Sequence, residues 1–213
     1  MIKAVLWDFG GVLTTSPFEA FTRFEMEHGL PANFIRKINS TDPDTNAWAQ
    51  FERSAVTLDE FDKLFEGESG NLGHPIRGTE IIKLLAGDIR PNMVNALKLC
   101  GEKYICTCLT NNVAAGNGPG MTRDAAAQAE VEAVMGLFQQ VIESSKIGLR
   151  KPDPRIYEYA CEQMGVNPEE VVYLDDLGIN LKPAAAMGMR TIKVVSEEQA
   201  LRDLSAAANI SFS

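Results

Sequence analysis

The sequence predicts an α/β fold in which a parallel β-sheet core carries a helical cap inserted after the first strand. An apolar, β-prone run opens the chain at residues 2–13, and no convincing strand pattern follows in residues 15–88. Strand-like and helix-like segments alternate from residue 89 onwards, which is typical of a parallel sheet covered by helices on both faces. We therefore expect a Rossmann-like core formed by residues 1–14 and 89–213, and a cap domain formed by residues 15–88.

The composition is that of an ordinary globular protein and argues against several classes of partner. The chain has 213 residues, of which 45% are hydrophobic and 23% are charged, enough for a substantial core. Its net charge of −9 argues against binding to nucleic acid or to an anionic membrane. No run approaches the ~18 apolar residues of a membrane span, and no signal peptide is expected at the start. Four cysteines do not make a disulfide framework here, so we expect reduced thiols and a cytoplasmic location.

The first predicted strand delivers a carboxylate to one edge of the sheet. The run Ile-Lys-Ala-Val-Leu-Trp-Asp-Phe-Gly-Gly-Val-Leu places Asp8 where the strand gives way to the turn at Gly10 and Gly11. Open α/β sheets bind their ligands at the carboxyl ends of their strands. Asp8 is therefore a candidate nucleophile or metal ligand.

Helical patterns dominate the predicted cap. In chain order they are the segment with phenylalanines at helical spacing (Phe18, Phe21, Phe24), a short segment from Pro31, a helix opened by the capping box Thr57–Glu60, a glycine-rich loop over 66–75, and a helix over 79–86.

The predicted core elements then alternate regularly. In chain order they are a helix over 91–100, a strand over 104–110, a helix over 122–136, a strand over 140–142, a helix from Pro154, a strand over 171–174, a helix ending near Met187, a strand over 191–195 and a last helix capped by Ser196.

Polar residues stand at the ends of three predicted strands. Asp8 ends the first, Thr110 and Asn111 end the second, and the pair Asp175-Asp176 ends a third, while Lys151 lies in the segment between the last two. Any one of these side chains alone is equally well explained as a helix N-cap. Together they converge on one crevice, because the carboxyl ends of parallel strands share an edge. Paired carboxylates repel unless a cation lies between them, and oxygen ligands suit Mg²⁺.

These residues resemble a known family. The run Asp8-x-Gly-Gly-Val-Leu, then Leu-Thr110-Asn, Lys151-Pro-Asp and Asp175-Asp176-x-x-x-Asn180 are similar, in order, to the four motifs of the haloacid dehalogenase-like (HAD) hydrolases. The run 173–184 is especially similar to the branch that includes the N-terminal phosphatase domain of soluble epoxide hydrolase. The resemblance covers nearly the whole chain and implies a Rossmann-like core with a cap.

The resemblance implies a role for each residue that would contact substrate. Asp8 would attack phosphorus and form an aspartyl-phosphate. Thr110 would donate a hydrogen bond to a phosphoryl oxygen, with Asn111 beside it in the substrate site, and Lys151 would neutralise charge on Asp8 and the phosphate. The implied partner is a small phosphorylated metabolite.

The resemblance also implies a magnesium site. Asp8 and Asp176 would bind Mg²⁺ together with the backbone carbonyl of Gly10, and Asp175 would lie beside the metal or hold its water. A carbonyl ligand needs no side chain, so Gly10 is compatible with this role.

Gly10 is the departure from the family pattern. Most phosphatases of the family carry an aspartate there, which protonates the leaving alkoxide and later activates water. General acid–base catalysis contributes about 10²–10⁴ in rate, a small part of the up to ~10²¹ by which phosphate-monoester hydrolysis is accelerated. We therefore expect an attenuated or selective phosphatase, with a preference for good leaving groups such as a sugar 1-phosphate or an acyl phosphate.

Two other functions stay open at this stage. A haloacid dehalogenase would use Asp8 on carbon without a metal, although the paired Asp175 and Asp176 favour a metal. A non-catalytic member that binds a phosphorylated ligand or a protein is suggested by Gly10. The run Gly116–Gly120 lacks the spacing of a dinucleotide fingerprint and predicts a loop. The sequence names neither the substrate nor the oligomeric state.

Overall fold

The computed structural model describes residues 1–112 and 125–212, so the predicted loop Gly116–Gly120 lies outside the described residues. The strands, in chain order, are β1 (Ala4–Trp7), β2 (Ile105–Thr110), β3 (Gln140–Glu143), β4 (Val171–Asp175) and β5 (Arg190–Lys193). Their spatial order is β3-β2-β1-β4-β5, and every neighbouring pair is parallel. The predicted Rossmann-like α/β fold is confirmed.

Helices account for most of the remaining chain. In chain order they are α1 (Pro17–Glu27), α2 (Phe34–Ser40), α3 (Ala47–Glu52), α4 (Leu58–Asn71), α5 (Gly78–Ile82), α6 (Pro91–Gly101), α7 (Ala125–Met135), α8 (Ser144–Ile147), α9 (Pro154–Met164), α10 (Gly178–Ala186) and α11 (Glu197–Ala208).

Both faces of the sheet are covered, because the side chains of β1 alternate between two hydrophobic clusters. Val5 and Trp7 pack with residues of α6, α7 and α11 on one face. Ala4 and Leu6 pack with residues of α9 and α10 on the other. Successive strand side chains point to opposite faces, so a fully apolar β1 is what a doubly covered central strand requires.

Helices α1–α5 form a separate group around their own cluster of buried residues, which includes Phe51, Phe61 and Phe65. The chain enters and leaves this group side by side. Thr14 and Ile89 form an isolated antiparallel bridge, and the Arg90 N–H donates to the Leu13 carbonyl at 2.8 Å. These contacts lie at the boundaries proposed for the cap, residues 15–88.

The segment predicted as the cap differs in detail from the sequence prediction. Helix α4 continues to Asn71, so the loop predicted from residue 66 begins too early. Burial of Phe61, Phe65 and Ser69 on one face of α4 outweighs the cost of about 1 kcal/mol for a glycine in a helix. Helix α5 ends at Ile82, short of the predicted 79–86, and α3 was not predicted; the Asn46 side chain caps it by accepting the Ala49 N–H at 2.8 Å.

The cysteines and the helix lengths are two further features of the structure. All four cysteines are buried and unpaired. In the part of the chain that the structure describes, no helix combines the length and the apolar composition needed to cross a membrane.

Candidate active site

Three carboxylates meet at the edge of the sheet where β1 and β4 end. One oxygen from each of Asp8, Asp175 and Asp176 lies within 4.8 Å of the other two. The register explains this placement, since Trp7 pairs with Leu174 and the next residues, Asp8 and Asp175, extend from level positions. Asp8 is 7% exposed and Asp175 is fully buried, so little water screens their repulsion.

The Lys151 ammonium lies between two of these carboxylates. Its Nζ is 2.9 Å from Asp8 Oδ1 and 2.8 Å from Asp175 Oδ2, and its side chain is 1% exposed. Burial alone would lower the pKa of Lys151, but the charges of Asp175 and Asp8 outweigh burial and raise it. One ammonium faces three carboxylates, so the cluster retains an excess of negative charge.

Burial and this excess of negative charge raise the pKa values of Asp8 and Asp176. Burial raises the pKa of Asp8 well above its usual range, opposed by the Lys151 ammonium and reinforced by the neighbouring carboxylates. Burial and the charge of Asp175 raise the pKa of Asp176 to about 6. A divalent cation relieves both effects, and carboxylate oxygens are the ligands that Mg²⁺ prefers. The residues present therefore fit a magnesium ion.

The oxygens of Asp175 are occupied by protein donors. Oδ1 accepts the Leu177 N–H at 2.7 Å and the Asn180 amide at 3.1 Å. Oδ2 accepts the Lys151 ammonium at 2.8 Å and a short hydrogen bond from the Tyr173 hydroxyl. Asp175 thus holds Lys151 and the start of the next loop in place, which matches a residue beside a metal better than a ligand of it.

Asp176 is the freer carboxylate. Among the described residues, the one side chain that donates to it is Ser16, whose Oγ lies 3.2 Å from Asp176 Oδ2. Sequence reasoning missed Ser16, because a serine before Pro17 is typical of a helix N-cap. The Ser16 hydroxyl makes no cap hydrogen bond to α1 and contacts Asp176 instead. Tyr173 was missed too, although strand alternation places it on the same face as Asp175.

Thr110 and Asn111 lie at the end of β2, as predicted, and differ in their surroundings. Thr110 is buried, and its hydroxyl has no hydrogen-bond partner among the described residues. The Asn111 side chain accepts the Lys151 N–H at 2.8 Å and donates to the Lys151 carbonyl at 3.0 Å. Both ends of the Asn111 amide therefore hold the Lys151 backbone in this structure.

Gly10 lies beside Asp8 in open space. A β-carbon there would meet no heavy atom within 4 Å, and its φ is not among the positive values of the chain. Neither packing nor backbone conformation within the described residues requires a glycine at this position.

Sequence comparison decides the family. A model of the haloacid dehalogenase-like hydrolases matches residues 2–188. The chain belongs to the haloacid dehalogenase-like hydrolase family. The resemblance drawn from the four motifs is therefore confirmed.

Two curated relatives extend the match. This HAD-like hydrolase is 32% identical over 214 residues to Acyl-CoA dehydrogenase family member 10 of Mus musculus, with 96% of this chain and 19% of the relative covered. It is 30% identical over 222 residues to Bifunctional epoxide hydrolase 2 of Mus musculus, with 99% of this chain and 40% of the relative covered. The chain thus spans a minor part of the length of both relatives.

Among solved structures, a HAD family enzyme from Bacteroides thetaiotaomicron in complex with magnesium and inorganic phosphate matches with a TM-score of 0.59 and 22% identity, over 91% of this chain and 94% of that chain. At this identity the match supports the fold. Phosphatases and dehalogenases both occur among the relatives of this HAD-like hydrolase. Family membership supports hydrolase activity, and the relatives do not agree on the bond that is cleaved.

Proposed function

We propose that this HAD-like hydrolase is a Mg²⁺-dependent phosphatase that acts on a small organic phosphate through an aspartyl-phosphate on Asp8. The observation that carries the proposal is the cluster of Asp8, Asp175 and Asp176 around Lys151. An excess of buried negative charge next to a candidate nucleophile is suited to a divalent metal, which would also attract an anionic substrate.

Asp8 is oriented by two hydrogen bonds that both end on Oδ1. The Phe9 N–H lies 2.7 Å and the Lys151 Nζ 2.9 Å from that atom, and no donor in the described ranges reaches Oδ2. In the proposed reaction an Asp8 oxygen attacks phosphorus, and the leaving alcohol departs with the electrons of its P–O bond and takes up a proton. Water then attacks the phosphorus of the aspartyl-phosphate, which releases inorganic phosphate and restores the carboxylate.

Lys151 and Thr110 are the proposed phosphate contacts of the chain itself. The Lys151 ammonium would neutralise charge on both the nucleophile and the transferring phosphoryl group, because it already lies against Asp8. The Thr110 hydroxyl, at the end of the adjacent strand, is an available donor for a phosphoryl oxygen. Asn111 supports this pair by holding the Lys151 backbone.

The proposed magnesium ligands are Asp8, Asp176 and the carbonyl of Gly10. Asp175 is expected to act beside the metal, since its own oxygens already accept several hydrogen bonds. Bound Mg²⁺ would add positive charge next to the phosphoryl oxygens as negative charge develops on them.

The missing carboxylate at Gly10 bears on the substrate. A simple alkoxide that leaves without a proton donor departs slowly. The anomeric oxyanion released from a sugar 1-phosphate and the carboxylate released from an acyl phosphate are less basic and leave more readily. We therefore propose a small phosphorylated metabolite with a good leaving group, selected by the cap of residues 15–88. A reducing, cytoplasmic setting is consistent with the four buried, unpaired thiols, and the net charge of −9 argues against a nucleic-acid partner.

A panel of phosphorylated metabolites and aryl phosphates, assayed with Mg²⁺ and with a chelator, tests the proposal. We expect Mg²⁺-dependent release of phosphate by the native chain, and none by Asp8→Asn with an unchanged melting temperature. Beryllium fluoride should form an adduct on Asp8 alone. Full activity in Asp8→Asn would exclude covalent catalysis there. Metal-independent release of halide from a 2-haloacid would favour a dehalogenase, and ligand binding without turnover would favour a non-catalytic member.

A further inference from the structure

A buried ion pair joins the proposed cap to the residue that precedes Lys151. Glu52 is the last residue of α3, and its side chain is 9% exposed, against 17% for Arg150. Arg150 Nε donates to Glu52 Oε2 at 2.6 Å, and Arg150 NH1 donates to the Pro43 carbonyl at 2.9 Å. The guanidinium is thus held at two points of the segment 43–52.

Asn111 lies between Glu52 and the backbone of Lys151. Its Nδ2 lies 3.5 Å from Glu52 Oε2, at the outer limit of a hydrogen bond, and its amide holds both the N–H and the carbonyl of Lys151. The Glu52 carboxylate therefore faces Arg150 and Asn111, the two residues that fix the backbone from which Lys151 extends.

The backbone at the end of α3 is fixed to the core as well. The Ser144 hydroxyl donates to the Glu52 carbonyl at 2.9 Å and accepts the Asn112 N–H at 3.0 Å. The Ser54 hydroxyl donates to the Ser145 carbonyl at 3.0 Å. The side chain and main chain of Glu52 thus both contact segments that lead directly to Thr110 and Lys151.

We propose that Glu52 is a positioning residue, which holds Arg150 and Asn111 in place and through them fixes the Lys151 ammonium between Asp8 and Asp175. The task assigned to Lys151 rests on the proposed function, while the placement of Lys151 rests on the contacts alone. A misplacement of about 1 Å costs about 10²-fold in rate. A shift of α3 within the cap is transmitted by the same contacts to the phosphate site.

The test compares Glu52→Gln with Asp62→Asn. Glu52→Gln keeps the size of the side chain and removes its charge. Asp62 is the matched control, because it is also a buried carboxylate of the proposed cap that binds an arginine, Arg77, and the backbone of Thr79. In the described residues its hydrogen bonds stay within the cap. The measurements are kcat for an aryl phosphate in saturating Mg²⁺, the melting temperature, and amide hydrogen exchange in the peptide that contains Lys151.

We expect kcat to fall about 10- to 100-fold in Glu52→Gln, with faster exchange of the Lys151 amide. Asp62→Asn should keep kcat within about twofold of the native value, since none of the described hydrogen bonds of Asp62 reaches the site. Arg150→Gln should reproduce the fall in kcat. The double variant Glu52→Gln/Arg150→Gln should be no slower than either single variant, because each substitution breaks the same Glu52–Arg150 ion pair.

Equal losses of kcat in Glu52→Gln and Asp62→Asn would overturn the proposal, as would native kcat and native exchange in Glu52→Gln. Failure of both Glu52→Gln and Arg150→Gln to fold, with Asp62→Asn folded, would also overturn it by showing a purely structural pair. If the native chain hydrolyses no aryl phosphate, the proposed phosphatase function fails, and amide exchange alone decides whether Glu52 positions Lys151.

Discussion

Gly11 lies so close to Asp176 that a β-carbon at residue 11 would stand 2.2 Å from Asp176 Oδ2. Its φ of +74° also lies in the left-handed region that side chains disfavour. The missing side chain at Gly11 therefore makes room for the Asp176 carboxylate next to Asp8. The adjacent Gly10 is under neither constraint. Space and backbone conformation therefore require a glycine at residue 11 and do not require one at residue 10.

Gly11→Ala should lose both stability and Mg²⁺-dependent activity. The left-handed backbone costs roughly 1–2 kcal/mol for a residue with a side chain, and the new β-carbon must displace Asp176. Gly29→Ala is the control, because Gly29 has a φ of +63° and no atom near its β-carbon position. Alanine there introduces the backbone strain without a steric clash. Thermal melts and turnover of both variants separate the effects; native turnover in Gly11→Ala would show that the position of Asp176 does not matter.

Lys151→Met should destabilise the fold strongly at neutral pH. Removing one partner of a buried ion pair costs about 3–5 kcal/mol, and here two carboxylates lose their counter-charge. Lys3→Met, which removes an exposed ammonium paired with Glu170 on the surface, should cost much less, because water screens exposed ion pairs.

The loss of folding stability caused by Lys151→Met should become smaller as the pH falls. Burial already raises the folded-state pKa of Asp8, and the Lys151 charge opposes that rise. Without the ammonium this pKa lies still further above its unfolded value, so the native state binds more protons and gains stability on acidification. Urea unfolding at pH 7 and pH 5.5 measures the difference from the native chain. A difference that does not depend on pH would contradict this electrostatic account.

Mg²⁺ should raise the melting temperature, and this effect should weaken below about pH 6. The pKa of Asp176 is raised from 3.8 to about 6 in the folded chain, so without metal the stabilising effect of its protonation is present at low pH and is lost as the pH rises through about 6. Protons and Mg²⁺ compete for the same carboxylate. Metal at 100 times its Kd adds about 2.7 kcal/mol. Melts of Asp176→Asn are the control, and an undiminished Mg²⁺ effect in that variant would remove Asp176 from the ligand set.

The fold and the strand-end residues were predictable because local patterns encode them. Central strands of a doubly covered parallel sheet are short apolar runs that end in polar residues, and this located Asp8, Thr110 and the pair Asp175-Asp176. The shared edge of the strands then follows from topology alone. Lys151 was predicted by resemblance to a motif, since its neighbours in sequence form no strand or helix that would place it.

The contacts around the site were not predictable from local patterns. Glu52 and Arg150 are 98 positions apart, and the helix that carries Glu52 has six residues, too few for a clear period. In the sequence Ser16 resembles an ordinary helix N-cap, and its contact with Asp176 arises only from the tertiary fold. The glycines of α4 predicted a loop because glycine has a low local helix propensity. The tertiary packing of Phe61 and Phe65 outweighs that propensity, and it cannot be read from the local sequence.

Gly10→Asp should raise the turnover of alkyl phosphates. Residue 10 has open space around it and no positive φ. We expect the variant to fold with nearly native stability. A carboxyl group beside Asp8 can protonate the leaving alkoxide, which is worth up to about 10²–10⁴ in rate.

Gly10→Asn is the matched control, because its amide fills the same space without an acidic proton to give. Aryl phosphates should gain much less from Gly10→Asp than alkyl phosphates, since a phenolate leaves without protonation. The dependence of kcat on the basicity of the leaving group should therefore be steep in the native chain and shallow in Gly10→Asp. A well-folded Gly10→Asp variant with no gain on any alkyl phosphate would mean that another group supplies the proton, or that phosphate esters are not the substrate.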